Sequence, residues 1–237
     1  MNIKIDVLAS SSHGNCYLIS DGQTQLMLEA GIPFKEIKIR SNFGLSKVEA
    51  VLITHEHGDH AKALPDLLKI GMNCYLTQGT ADSLILQREH RLKIIQAKKQ
   101  FEIGSWMILP FETEHDAAEP VGFLLASRGG GKVLFATDTF YLKYKFKGLT
   151  HIMVECNYSS SILKRNISAG AISQEMKNRL LKSHFSLENL KEFFKSNDLS
   201  KVQEIHLLHL SDGNSDEDLF KKEIMKATGK MVFIAKK

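Results

Sequence analysis

The sequence has few cysteines and no long apolar segment. Its 237 residues include three cysteines, Cys16, Cys74 and Cys156, and none belongs to a CxxC pair. An odd number of widely spaced cysteines argues against a disulfide framework and favours a reducing compartment. No apolar run approaches the ~20 residues that a membrane-spanning helix needs. Residues 1–6 alternate in polarity like a strand and lack the apolar block of a signal peptide. We therefore expect a cytoplasmic protein with no membrane partner.

Linkers, repeats and a strong charge imbalance are also missing. No Pro-, Gly- or Ser-rich stretch divides the chain, and no repeat of 20–50 residues recurs. Hydrophobic residues make up 43% and charged residues 24%, which is typical of a soluble globular protein. The net charge of +4 tolerates an anionic substrate without requiring one. These features predict a single domain over residues 1–237 and leave the oligomeric state open.

Four potential metal ligands lie within six residues of one turn: His55, His57, Asp59 and His60. Residues 48–53 before the turn form an apolar run typical of a buried strand, and residues 61–69 after it have helical spacing. In an extended segment the first two histidines point the same way. Gly58 then lets the chain turn, so the aspartate and the third histidine face a second position. Imidazole and carboxylate groups are common metal ligands. We call residues 54–60 the histidine turn, and it predicts a site for two neighbouring metal ions.

One turn cannot supply the roughly four ligands that each ion needs. The missing ligands should therefore be single His or Asp residues at the ends of other elements. Strands are predicted at 105–111, 132–137 and 204–210, and helices at 168–183 and 186–197. His115 and Asp138 follow the first two strands, and His209 lies near the end of the third. His184 lies between the two helices.

The order His-x-His-x-Asp-His, then a His, an Asp and a His, resembles the metallo-β-lactamase superfamily. The resemblance extends from Ser10 to about Asn214 and implies an α/β (α+β) fold built as a four-layer αββα sandwich. It also implies two metal positions. The first would be held by His55, His57 and His115, and the second by Asp59, His60 and His209. Asp138 would bridge the two, and the carboxylate of Asp59 would also position the attacking water.

Within the superfamily, the chain most resembles the WalJ/YycJ-type branch, which is related to ribonuclease Z and associated with DNA exonuclease activity. The similar segments include Gly14-Asn15-Cys16, Ala136-Thr137-Asp138, Glu155-Cys156-Asn157 and His209-Leu210-Ser211. Relatives usually carry Asp where Glu29 stands. Ribonuclease Z-like enzymes imply that Glu155 and His184 help to protonate the leaving group, because a carboxylate can keep an imidazole protonated near neutral pH. Asn157 is a further candidate for substrate binding.

A basic and aromatic segment follows Asp138. We call residues 141–147 the lysine segment, in which Lys143, Lys145 and Lys147 interleave with tyrosines and a phenylalanine. This composition suits contact with a nucleic-acid strand. An edge strand protected by lysines is the alternative interpretation.

The expected cofactors are two divalent metal ions, with Zn²⁺ favoured and Mn²⁺ possible, since the ligands combine imidazole and carboxylate. Such ions activate water and neutralise charge on a phosphate or carbonyl oxygen. We therefore expect a hydrolase of ester bonds, foremost a phosphodiesterase or DNA exonuclease-like nuclease acting on nucleic acid. The alternatives are a cyclic-nucleotide phosphodiesterase, a thioester or lactone hydrolase of the glyoxalase II type, and a non-catalytic, metal-stabilised binding module.

Overall fold

The computed structural model describes residues 3–86 and 90–236. The described chain forms two compact units. The first unit comprises Met1–Glu112, Ala117–Lys132 and Lys236–Lys237, and the second comprises Thr113–Asp116 and Val133–Ala235. The single domain over residues 1–237 stays a prediction.

The first unit contains a six-stranded sheet whose strands pair in chain order. Its strands are β1 (Lys4–Ser11), β2 (Gly14–Ser20), β3 (Gln25–Leu28), β4 (Val48–Leu52), β5 (Asn73–Thr77) and β6 (Leu92–Ile95). β1, β2 and β3 pair antiparallel with one another, and β3 also begins the parallel part of the sheet, which continues through β4 and β5 to β6. Asp21 and Gly22 turn the chain between β2 and β3. Gly22 has a left-handed φ of 86°, and Asp21 Oδ1 accepts hydrogen bonds from two backbone N–H groups, as Asp does in turns.

Short helices connect the parallel strands of the first unit. They are α1 (Phe34–Arg40), α2 (Gly58–Ala61), α3 (Leu64–Lys69) and α4 (Gln78–Ser83), with a 3₁₀ turn at Gly44–Lys47. The predicted helix 61–69 is therefore wrong as one element. Pro65 occupies the first turn of α3, where a residue without an N–H begins a new helix more readily than it continues one. Three antiparallel strands follow: β7 (Phe101–Ile103), β8 (Trp106–Glu112) and β9 (Val121–Ser127).

The second unit is organised by four strands that pair in parallel in chain order. They are β10 (Lys132–Ala136), β11 (His151–Glu155), β12 (Glu204–Leu208) and β13 (Met231–Ile234). The carboxyl ends of parallel strands meet at one edge of the sheet, which is where α/β proteins place their ligands. Asp138 lies just past β10, Glu155 ends β11 and His209 directly follows β12. The strand order thus gathers three of the predicted site residues.

Four helices accompany these strands: α5 (Ser160–Ser168), α6 (Gln174–Ser183), α7 (Leu187–Lys195) and α8 (Glu217–Thr228). The prediction of one helix over 168–183 is wrong at its start. Gly170 adopts a left-handed φ of 71° after α5, and the hydroxyl of Ser173 caps α6 by accepting the N–H of Met176. The predicted cap of the next helix is confirmed, because Ser186 Oγ accepts the Asn189 N–H at 3.0 Å. No helix within residues 3–86 and 90–236 is long and apolar enough to cross a membrane.

Candidate metal centre

The histidine turn brings its imidazoles together within the first unit. It leaves the end of β4 and enters α2, with His57 as the residue before the helix. His55 Nε2 lies 3.2 Å from His57 Nδ1, and the rings of His55 and His60 have centroids 4.2 Å apart. Asp59 Oδ2 is 3.2 Å from His60 Nε2. Three imidazoles and one carboxylate therefore form one compact set of metal-ligating atoms.

Buried polar groups hold the histidine turn from behind. Glu29 is fully buried, and its Oε1 lies 3.5 Å from His60 Nδ1 while its Oε2 accepts the Thr54 N–H at 3.3 Å. Burial raises the pKa of Glu29, although His60 opposes that rise. On the other side of the ring, the Asn15 amide is 3.3 Å from His60 Nε2. A carboxylate beside one ring nitrogen, as Glu29 is beside Nδ1, fixes the orientation of an imidazole whose other nitrogen binds metal.

Gly31 lets the histidine turn pack directly on the preceding backbone. A Cβ at this position would lie 1.6 Å from the carbonyl oxygen of Asp59 and 2.8 Å from the nitrogen of Asn15. Two hydrogen bonds hold the approach in place, from Ala30 N–H to the His60 carbonyl at 2.7 Å and from Gly31 N–H to the Asn15 carbonyl at 2.8 Å. Only a residue without a side chain fits this contact.

The second unit carries its own set of potential ligands. Ligand atoms of Asp138, Glu155, His184 and His209 all lie within 4.8 Å of one another. His115 Nε2 is 3.5 Å from Asp138 Oδ2. His115 Nδ1 lies 3.1 Å from the backbone carbonyl of Ser183. Because a carbonyl only accepts, this contact places the proton on Nδ1 and leaves Nε2 with the lone pair that a metal ion requires.

Two of these residues have strained backbones. Asp138 has φ of 47° and His209 has φ of 51°, in the left-handed region that non-glycine residues seldom occupy. Both residues lie just past the ends of parallel strands, where the left-handed conformation redirects the chain. Strain of this kind is concentrated at functional sites.

Glu155 contacts both His184 and His209 in the second unit. It is fully buried. Its Oε1 lies 2.6 Å from His184 Nδ1 and 3.1 Å from His209 Nδ1, and its Oε2 accepts the N–H groups of Thr139 and Phe185. Burial alone would lower the pKa of His184, but the charge of Glu155 and its hydrogen bond outweigh burial and raise that pKa. Burial alone would raise the pKa of Glu155, and its partners, chiefly His184, lower it instead.

The candidate substrate-binding residues lie in different surroundings. Asn157 is buried, and its amide nitrogen is 2.9 Å from the carbonyl oxygen of His209 and 3.2 Å from its Nδ1. It therefore positions His209, and a contact with substrate stays a prediction. The lysine segment is irregular rather than an edge strand. Its three lysines are exposed and alternate with the buried Leu142 and Phe146. Lys143 Nζ pairs with Glu114 at 3.3 Å.

Sequence reasoning missed the residues that support the ligands. The Asn15 amide contacts His60, and Ser183 and Asp116 both contact His115. Asp116 lies 3.3 Å from His115 and accepts the Ser183 hydroxyl at 2.9 Å, so it links this ligand to its second support. Spacing could not connect Asn15 with His60, because 45 positions separate the two residues. Two signals were available: Asn15 belongs to the family-like segment Gly14-Asn15-Cys16, and Asp116 directly follows His115.

The donor atoms of both units fit divalent metal ions. Imidazole nitrogens and carboxylate oxygens are the ligands that Zn²⁺ takes in catalytic sites, and Mn²⁺ accepts the same types. The buried supports of His60, His115 and His209 match the outer contacts that metal-ligating histidines need. The second unit thus contains a cluster of Asp, Glu and His ligand atoms close enough to bind a metal ion, and the first unit offers further imidazole and carboxylate donors in the histidine turn.

Comparison with known proteins gives the family. The sequence model of the metallo-β-lactamase superfamily matches residues 11–152, and the chain belongs to that superfamily. The predicted α/β class with the αββα metallo-β-lactamase fold is confirmed. With its His/Asp clusters, the chain is a metal-dependent hydrolase of this superfamily.

Some of the similar curated proteins carry nuclease names. The chain is 28% identical to the exodeoxyribonuclease WalJ of Streptococcus pneumoniae D39, over 92% of this chain and 86% of that protein. It is 26% identical to the exodeoxyribonuclease YycJ of Bacillus anthracis, over 94% and 88%. The predicted resemblance to this branch is thereby confirmed.

Two solved structures show a similar fold. The metallo-β-lactamase-fold protein YhfI of Bacillus subtilis has a TM-score of 0.75 at 17% identity, covering 99% of this chain and 96% of that one. The short form of human tRNase Z has a TM-score of 0.63 at 13% identity, covering 98% and 96%. At these identities the likeness concerns the fold alone.

Proposed function

We propose that this protein is a phosphodiesterase that acts on nucleic acid, in the manner of a DNA exonuclease. The observation that carries the proposal is the 2.6 Å contact between Glu155 Oε1 and His184 Nδ1. A nucleotide alkoxide leaves poorly unless it is protonated, and a carboxylate-held imidazole can supply that proton. Esters with good leaving groups do not need this pair. The exodeoxyribonuclease names of the relatives WalJ and YycJ support the same substrate class.

The ligand assignment carried over from the superfamily is part of this proposal. As the resemblance implies, His55, His57 and His115 would hold one ion and Asp59, His60 and His209 the other, with Asp138 shared between them. We favour Zn²⁺, with Mn²⁺ as the alternative. When bound, such ions lower the pKa of water and neutralise charge on phosphate oxygens.

The protein groups then have separate tasks. Asp59, whose carboxylate is partly exposed, orients the attacking water. His184 carries a proton on the nitrogen remote from Glu155 and gives it to the leaving oxygen. Glu155 stabilises the imidazolium before transfer and keeps the ring in place. The exposed lysines of the lysine segment contact phosphates along the strand.

Replacement of His184 tests the proton-donor role. His184→Ala should lower the rate on an oligonucleotide by about 10²–10⁴-fold. The loss should be much smaller on bis(4-nitrophenyl) phosphate, whose leaving group needs little protonation. Metal content, measured by elemental analysis, should stay that of the wild type. The exposed His90 provides the control, since His90→Ala removes an imidazole outside the second unit. If His184→Ala sheds metal, or slows both substrates equally, the residue is a ligand or a structural group and not the acid.

A substrate panel tests the substrate class. Single- and double-stranded DNA, RNA, cyclic nucleotides and a thioester are compared with Zn²⁺ or Mn²⁺ present. The proposal requires that polymeric phosphodiesters be cleaved. Cleavage of cyclic nucleotides alone would make the protein a small-substrate phosphodiesterase, and cleavage of the thioester alone would make it a thioesterase.

A further inference from the structure

The second unit contains a cavity of about 470 Å³ between the residues after Asp138 and α7. Its volume lies within the range of small-molecule pockets, about 300–1,000 Å³. The lining is unusually aromatic and includes Phe140, Tyr141, Phe185 and Phe193. Phe185 and Phe193 are buried and their ring centroids lie 6.2 Å apart, whereas Tyr141 is 55% exposed. The cavity therefore has a rigid apolar floor and one aromatic side chain at its open side.

Glu155 links this cavity to the proposed proton donor. Its Oε2 accepts the N–H groups of Thr139 at 3.2 Å and Phe185 at 3.1 Å. Phe185 lines the cavity, and Thr139 directly precedes the lining residue Phe140. Glu155 Oε1 contacts His184, which directly precedes Phe185 in the sequence. One buried carboxylate thus fixes both walls of the cavity and the imidazole beside them.

The charge of the lining indicates what the cavity can hold. Among the described residues that line it, none is a lysine or an arginine. Its one acidic residue, Glu192, pairs with Lys195 at 2.6 Å. Asn189 also lines the cavity. Its amide nitrogen donates to the Phe140 carbonyl at 3.5 Å, and its second N–H and its amide oxygen can serve a ligand. The lining itself offers no cation to a phosphate. A neutral, flat heterocycle could stack on its aromatic faces and form hydrogen bonds with an amide at its edge.

We propose that this cavity is a nucleobase subsite, which holds the base of the nucleotide next to the bond being cleaved. The inference rests on the proposed function and specifies it. Tyr141 is the stacking residue at the entrance, and the buried phenylalanines form the floor. Because every base has an aromatic face, stacking at this subsite accepts all four bases. The lysine segment begins at Tyr141, so phosphates of the adjoining nucleotides meet its exposed lysines.

The kinetic test combines a protein change with a substrate change. Tyr141→Ala removes an exposed side chain and leaves the Tyr141 carbonyl, which accepts the Thr139 hydroxyl at 2.8 Å. Initial rates are measured on an oligonucleotide and on the same oligonucleotide with an abasic residue at the cleaved end. Tyr141→Ala should lower kcat/KM on the normal substrate by about 5- to 100-fold, the range for loss of one base stack, and should have little further effect on the abasic one. Equal losses on both substrates would overturn the subsite.

A binding test separates the subsite from the hydrolytic function. Calorimetry compares deoxyadenosine 5′-monophosphate with deoxyribose 5-phosphate, using protein purified without chelator. The nucleotide should bind more tightly to the wild type, and Tyr141→Ala should abolish most of that advantage. Phe43→Ala is the matched control, because Phe43 is 72% exposed and lies outside the cavity lining.

The two failures are distinguishable. If the advantage of the base is absent in the wild type, or survives in Tyr141→Ala, the subsite is wrong even when oligonucleotides are cleaved. If the base-dependent binding is found but no phosphodiester is cleaved with either metal, the subsite stands and the proposed hydrolytic function falls.

Discussion

The close approach of Gly31 to the histidine turn makes Gly31→Ala a severe substitution. The new Cβ would lie 1.6 Å from the Asp59 carbonyl oxygen and 2.1 Å from its carbon. Both are backbone atoms, so no rotamer change relieves the overlap. Ordinary contact begins at 3.4 Å, so the turn must move by roughly 1–2 Å, and misplacement by about 1 Å can cost ~10²-fold in rate. We expect Gly31→Ala to lose at least that much activity and part of its metal. Overpacking should also cost about 1–3 kcal/mol of unfolding free energy.

Gly58→Ala is the matched control within the histidine turn itself. The turn expected at Gly58 does not require glycine, because this residue begins α2 without a left-handed φ. A Cβ at Gly58 would meet no atom within 4 Å, and alanine is a better helix former than glycine. Elemental analysis, hydrolysis rates and thermal unfolding are compared for the two variants and the wild type. Gly58→Ala should keep its metal and activity, and Gly31→Ala should unfold several degrees lower. If Gly31→Ala matches Gly58→Ala in metal content and rate, the described packing of the turn is wrong.

Three other predictions use separate features of the molecule. Protein purified without chelator should contain close to two divalent ions per chain, and Asp138→Ala should contain fewer; equal metal content would rule out the bridging role. Replacing all three lysines of the lysine segment with alanine should flatten the salt dependence of single-strand binding by up to about 2 in the log–log slope, whereas replacing the three exposed lysines of α8 should leave the slope alone. Burial lowers the pKa of both His151 and His206, although Glu204 opposes it, so the unfolded chain binds protons more readily. The contribution of the two neutral histidines to the free energy of unfolding is therefore fully present above the ordinary histidine pKa of about 6.5. It should be lost as pH falls below that value. A variant with Gln at both positions should show a shallower fall in urea midpoint from pH 7 to 5, and an equal slope would refute this account.

The parts of the candidate centre that could be predicted are local or lie at strand ends. The histidine turn places four ligands within six residues, so its geometry depends on few backbone angles. Asp138 and His209 were found because each follows an apolar run, and parallel pairing brings the ends of such runs together. Glu155 was recognised through the family alone, and His184, a candidate from its place between two predicted helices, received its proposed role from the family. The structure then places them 2.6 Å apart.

The supports and some helix boundaries could not be predicted because they depend on distant or weak signals. Glu29, which contacts His60, has a left-handed φ of 64°. A glutamate in a sequence gives no sign that its backbone will adopt this conformation. The break between α5 and α6 was hidden because apolar spacing continues across Gly170 and Ser173. The cavity proposed as a nucleobase subsite is lined by residues 140–142 and by residues of α7, and no pattern within either segment indicates the other.

At Asp138 and His209 the left-handed backbone favours glycine, whereas the proposed chemistry requires the side chain. Glycine at either position would adopt the same angles without the cost of about 1 kcal/mol or more that a non-glycine residue bears. Loss of the side chain would remove a proposed metal ligand at the same time. A screen that selects variants of this protein only for resistance to heat should therefore accumulate substitutions at these two positions and return stable, inactive proteins. Selection for turnover should oppose the same changes, so two libraries, one selected for heat resistance and one for turnover, should differ at these two positions.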